Sequence, residues 1–122
     1  MTGEMMKLIV AGGRDFNNYN KLVQELDFLL KGIDKTNVEI VCGMARGADS
    51  LGERYAKQNN ISIKYFPANW NASGKSAGYI RNEEMARYAT NLIAFWDGMS
   101  KGTKHMINLA QKYDLVVKVV SY

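Results

Sequence analysis

Three glycine-rich stretches in this chain carry side chains suited to an anionic, hydroxyl-bearing ligand. They are Gly12-Gly13-Arg14-Asp15, Gly43-Met44-Ala45-Arg46-Gly47-Ala48-Asp49 and Trp96-Asp97-Gly98-Met99-Ser100-Lys101-Gly102-Thr103. Glycine lets a backbone approach a ligand without a Cβ in the way, and the backbone N–H groups of a strand-to-helix turn suit a phosphate. In the first stretch Arg14 offers a planar fork to a phosphate. Asp15 beside it orients Arg14 or accepts from a ribose hydroxyl; the bland alternative is an exposed Arg–Asp pair of little energetic weight. In the second stretch Gly43 and Gly47 line the same place and Arg46 reaches towards phosphate. Asp49 falls in the first turn of a helix, where the dipole favours a carboxylate with or without a ligand. In the third, Asp97 and Gly98 open the turn, and Ser100, Gly102 and Thr103 present donors. Should the ligand be cleaved, Asp15, Asp49 and Asp97 are the candidate acids.

Further candidates lie between the second and third stretches. Lys75 and Arg81 read as an anion clamp or, equally, as a solvated basic face. Asn82 belongs to the same segment, but it directly follows Arg81, a spacing that assigns the two to different helix faces. Trp70 stacks on a base or caps the core. His105, in the first turn of a helical pattern, reads as a surface histidine, and Trp96 as core.

These residues need strands to place them. Met6–Ala11 is an apolar run ending in Gly-Gly, a predicted first strand. From Tyr19, apolar residues recur at helical spacing as far as Gly32, a C-cap. Val38–Cys42 is a second strand and Ala48–Gln58 a second helix. Ile61–Phe66 is a third strand, stopped by Pro67, the sole proline. After a polar stretch, Ala68–Ser76, a helix is predicted over about Ala77–Tyr88, a strand over Leu92–Trp96, a helix over Thr103–Tyr113 and a strand over Leu115–Val120. Alternating strands and helices argue for a parallel sheet covered on both faces, and the unalternated apolar strands agree. The expected architecture is one three-layer, Rossmann-like α/β domain over 1–122, with a short tail at Met1–Met5. Ligands bind at the carboxyl edge of such a sheet, where the strand order reverses. The glycine-rich turns follow strands one, two and four. They form one rim in the order 3-2-1-4-5 but not in 2-1-3-4-5, so the first order is expected.

Composition narrows the function. The 122 residues carry a net charge of +4, spread along the chain, which suits an anionic small molecule at least as well as nucleic acid. One cysteine excludes an internal disulfide, and one cysteine with one histidine does not furnish a structural zinc site. No metal or cofactor is expected. No apolar run spans a bilayer, so a cytoplasmic protein with no membrane partner is expected.

Two standard nucleotide motifs fail in part. G-x-G-x-x-G is absent after the first strand, and no acid ends the second to hold a ribose. Gly74-Lys75-Ser76 approaches a Walker A, but Asn69 stands where its first glycine belongs, so a P-loop ATPase stays only as an alternative.

Taken together, Gly12–Phe16 (GGRDF), Val41–Asp49 (VCGMARGAD), Gly74–Met85 (GKSAGYIRNEEM) and Phe95–Thr103 (FWDGMSKGT) resemble the SLOG superfamily of Rossmann-like nucleotide-binding domains, specifically its small YspA-like members. The second stretch is also similar to the turn of DprA, a DNA-processing member. Tyr79 departs from the pattern, at a place where a proline is expected. The resemblance implies binding of a nucleotide or nucleotide-derived ligand, ADP-ribose-like, NAD-like or a nucleoside phosphate, by a sensor or sequestering module. It further implies a homo-oligomer. The superfamily's phosphoribohydrolases carry a catalytic Glu in P-G-G-x-G-T-x-x-E; here Met106 holds the matching place, and methionine neither takes nor gives a proton. Nucleotide N-glycosidic cleavage and DprA-like single-strand binding are the alternatives, the second less supported by the scattered charge.

Overall fold

A computed structural model of the chain describes residues 5–122. Four residues of the expected tail, 1–4, lie outside the described residues. Five strands form one parallel sheet: β1 (Met6–Gly12), β2 (Val38–Cys42), β3 (Ser62–Tyr65), β4 (Asn91–Trp96) and β5 (Val116–Ser121), in the order β3-β2-β1-β4-β5. This is the order that the clustering of the turns required. The register sets Ile9 opposite Val41 and Gly12 opposite Phe95, so the turns after β1, β2 and β4 emerge side by side.

Side chains alternate across a strand, and β1 divides them between two cores. Leu8 and Val10 join Ile40, Ile93 and Phe95 under helices α1 (Tyr19–Leu29) and α2 (Ala48–Gln58), which contribute Leu22, Leu26 and Tyr55. Ile9 and Ala11 join Val41, Leu92 and Ala94 on the other face, under α4 (Ala77–Tyr88) and α5 (Lys101–Lys112), which contribute Met85, Met106 and Ile107. Both faces of the central strands are buried, which is why those strands read as unbroken apolar runs.

Helix ends follow local chemistry. Asn18 caps α1, its side chain accepting from the Lys21 N–H at 3.0 Å. The helix stops at Leu29, and Gly32, with φ +78°, lies in the turn beyond rather than at the cap. The segment read as a polar stretch is more ordered than expected. Asn69 caps a one-turn helix, α3 (Trp70–Ser73), and a 3-10 turn over Gly74–Ser76 leads into α4. The strand–loop–helix of a P-loop is therefore not formed at Gly74-Lys75-Ser76. A further 3-10 turn, Lys35–Asn37, precedes β2. No helix among the described residues is long and apolar enough to cross a membrane.

Candidate functional site

The turn after β1 is pinned from three sides. The Gly13 N–H donates to the Phe95 carbonyl at 3.1 Å, and the Gly13 carbonyl accepts from Phe16 at 3.2 Å and from Ala48 at 3.3 Å. The last bond uses the leading N–H of α2. Gly47, φ +77°, is the residue that lets α2 start there, its α-carbon set against the backbone of Gly13 and Arg14. Phe16 turns inward and stacks on Phe95, with ring centroids 4.6 Å apart. Arg14 and Asp15 are thereby left facing out. Tyr122 closes the turn from the far side: its ring packs on Phe16 and its hydroxyl donates to Asp15 at 2.6 Å.

Between the turns lies a cavity of about 520 Å³. Of the candidate residues, Gly12, Gly13, Arg14 and Asp15 line it from the end of β1 and the turn after it, and Asp49 from α2. Trp70, Lys75, Arg81 and Asn82 line it from the α3–α4 segment, and Asp97, Ser100, Gly102 and Thr103 from the third turn. Gly43 and Arg46 line a second hollow of about 470 Å³ beside it, towards β3, which Arg14, Trp70 and Arg81 share. Gly47 and Gly98 line neither hollow.

The three carboxylates sit in unlike surroundings. Asp49 is buried and accepts from the Ala45 N–H at 3.3 Å. Loss of hydration outweighs the nearby Arg81 charge and pushes its carboxyl up to about 6. Asp97 is exposed and holds the third turn, accepting from the Met99 and Ser100 N–H groups, each at 2.8 Å. Those bonds keep it below the usual carboxylate range. Asp15 is exposed and bound by Tyr122 alone among these hydrogen bonds.

Arg81 and Asn82 correct the sequence reading: consecutive on α4, they both line the cavity and touch one another. Arg81 Nε donates to Asn82 Oδ1 at 3.1 Å, and its Nη1 donates to the Gly43 carbonyl. An arginine stem is long enough to curl back along the helix, which spacing of α-carbons does not capture. Asn82 Nδ2 faces His105 Nδ1 at 3.2 Å and the Gly102 carbonyl at 3.5 Å. The pair thus ties the second turn to the third across α4. His105 is half-buried, not a free surface histidine; its ring meets Tyr79 edge-on at 4.4 Å. Burial lowers its pKa.

Met106 is buried in the cavity wall and Met85 lies near it. Ser100 caps α5, its hydroxyl 3.4 Å from the Thr103 N–H and 3.1 Å from the Thr103 hydroxyl. Trp96 is partly buried and donates from its ring nitrogen to the Ser100 carbonyl at 3.1 Å. Cys42 is buried, and desolvation pushes its thiol up to about 11, which disfavours the nucleophilic thiolate. Among the described residues no three His, Cys, Asp or Glu side chains stand together as a metal site. Trp70 starts a helix rather than riding a loop, and it is half exposed. Tyr122 and Tyr79 were not legible as site residues. Tyr122 reaches Asp15 only because β5 pairs with β4 in the register Trp96 to Ser121.

A parallel sheet whose order reverses between β1 and β4, with a cavity over its carboxyl edge at that switch point, defines a Rossmann-like α/β domain. The family is then specific: residues 6–72 match the family model of the YspA, cpYpsA-related SLOG family, and the chain belongs to it. It is similar to the Gene 61 protein of Mycobacterium phage D29, with 32% identity covering 93% of this chain and 94% of that one. The fold is similar to DNA processing protein A (DprA) from Streptococcus pneumoniae, with a TM-score of 0.73 at 16% identity over 95% of this chain. The chain spans about half, 50%, of that DprA chain.

Proposed function

We propose that this protein binds a nucleotide or nucleotide-derived ligand, ADP-ribose-like, NAD-like or a nucleoside phosphate, as a sensor or sequestering module that leaves the ligand intact. The observation that carries this reading is the cavity at the switch point, which gathers Arg14, Arg81, Asp15 and the exposed Trp70. Guanidinium groups bind phosphate, a carboxylate accepts from ribose hydroxyls, and an exposed indole stacks on a base. Met106 in the wall supports binding without cleavage, because the side chain at the place of the phosphoribohydrolase Glu has no proton to exchange.

The test is a thermal-shift screen against nucleotides, each hit then incubated and separated by HPLC. A ligand of the native state raises the melting temperature with dose, and recovery of the intact compound is expected. Free base plus ribose phosphate would make the protein an N-glycosidase, acting through one of the three aspartates. A second reading, single-strand binding, is favoured by the exposed Trp70 and Tyr79 at the cavity mouth. It requires affinity for oligonucleotides that falls steeply with salt, where the small-molecule reading expects none.

A further inference from the structure

The two hollows differ in charge. Asp15, Asp49 and Asp97 all line the first, where they face Arg14, Lys75 and Arg81. The second is lined by Arg14, Arg46 and Arg81 with no carboxylate, and its remaining walls are backbone and apolar surface from Met44, Pro67 and Trp70. Among the described residues, none of these three guanidinium groups forms an ion pair; the bridges present lie elsewhere, at Glu53, Glu83 and Glu25. Three cations around an acid-free hollow attract an anion, whereas in the first hollow three carboxylates offset three cations.

We infer that the second hollow is the phosphate subsite, and that the ligand is an organic phosphate carrying its phosphoryl group at one end. The phosphoryl group sits among Arg14, Arg46 and Arg81, and a hydroxyl-bearing ring points into the first hollow towards Asp15. Trp70, on the boundary, covers the junction. This rests on the nucleotide reading above and sharpens it: a terminal phosphate, as in a nucleoside mono- or diphosphate, fits the asymmetry better than a phosphate group bridging two sugars.

The experiment is isothermal titration of the whole chain with AMP, ADP and ADP-ribose at about 0.1 M salt, where surface charges are already screened beyond roughly 10 Å. It is run on the wild type and on two variants that each remove one positive charge, Arg46→Ala in the second hollow and Lys75→Ala in the first. Both side chains are exposed, so both variants keep the fold, which their melting temperatures verify. AMP or ADP is expected to bind more tightly than ADP-ribose. Arg46→Ala is expected to weaken that binding tenfold or more, and Lys75→Ala less than threefold. If Lys75→Ala weakens binding more than Arg46→Ala, or ADP-ribose binds tightest, the subsite assignment is wrong while the nucleotide reading stands. If none of the three binds the wild type, this inference fails, and the nucleotide reading fails with it where the thermal-shift screen against the other nucleotides is empty as well.

Discussion

A side chain added at Gly12 or Gly47, in the turns after β1 and β2, would strike the backbone of a neighbouring segment; one added at Gly98 or Gly102, after β4, would meet nothing within 4 Å. The turns are alike in composition and serve different ends. The first two are glycine-rich because the turn after β1 must lie flat against the start of α2 and against β4. That need exists with or without a ligand. The third turn is held by its own side chains, Asp97 on two N–H groups and Ser100 on Thr103. Gly98 there has φ +84° and needs glycine for its conformation. Gly102 has neither a positive φ nor a close neighbour, so its lack of a side chain answers to nothing inside the fold.

The largest effect expected from this contrast is on stability. Gly47→Ala places a methyl group 2.7 Å from the Arg14 α-carbon and demands φ near +77° from an L-residue. Left-handed strain and overpacking add, for a loss of about 3 kcal/mol. Urea denaturation measures it. A loss below about 1 kcal/mol would mean that the turn after β1 yields easily, and the distinction between packed and open turns would lapse.

Next in size is a pH effect on the packed side. Burial pushes the Asp49 carboxyl up to about 6 in the folded protein, from an ordinary value of 3.8. A raised folded value means that stability is greatest below the unfolded value and is lost as pH rises through about 6. Relative to Asp49→Asn, the wild type therefore gains about 1–2 kcal/mol as pH falls from about 7.5 to about 5. Unfolding free energies at several pH values, taken for both proteins, check this; parallel curves would show that Asp49 does not titrate in this window. Asp97 in the open turn is shifted the other way by its two N–H donors, so Asp97→Asn will not flatten the same part of the curve.

Tyr122→Phe keeps the ring on Phe16 and removes the hydroxyl from Asp15, a single hydrogen bond to a charged acceptor. It should cost about 1.5 kcal/mol in chemical denaturation. No loss would mean that Tyr122 leans on the turn without holding it, leaving Gly13 and Phe16 as its anchors.

The elements carrying these residues were legible to different depths. Val38–Cys42 and Ala48–Gln58 were read to the residue because the switch from an apolar run to helical spacing is abrupt and glycine marks the join. The strand order followed from a physical demand, that three ligand-type turns share one rim. Less legible was whatever depends on side-chain reach or on distant register. Arg81 bends back onto Asn82, His105 is drawn in against Tyr79, and Tyr122 arrives beside Asp15 from more than a hundred positions away. The short helix at Trp70 escaped because one capped turn leaves too few residues for a period. Glycine itself was over-read: counting Gly12, Gly43, Gly47 and Gly102 as one kind of evidence merged residues required by packing with one that is not.

Gly102→Ala tests that last distinction with the smallest change in stability. Gly102 is the second residue of α5, exposed, with open space where a Cβ would stand. Alanine is the better helix former, so the variant should be as stable as the wild type or more so by about 0.5 kcal/mol. If the third turn meets the ligand through its backbone, the methyl group will nonetheless obstruct it, and nucleotide affinity will fall while the melting temperature of the free protein does not. That pairing of outcomes has no structural explanation other than contact with a ligand. Unchanged affinity would remove the turn after β4 from the binding surface and leave Arg14, Arg46, Trp70 and Arg81, on the other side of the cavity, to hold the ligand.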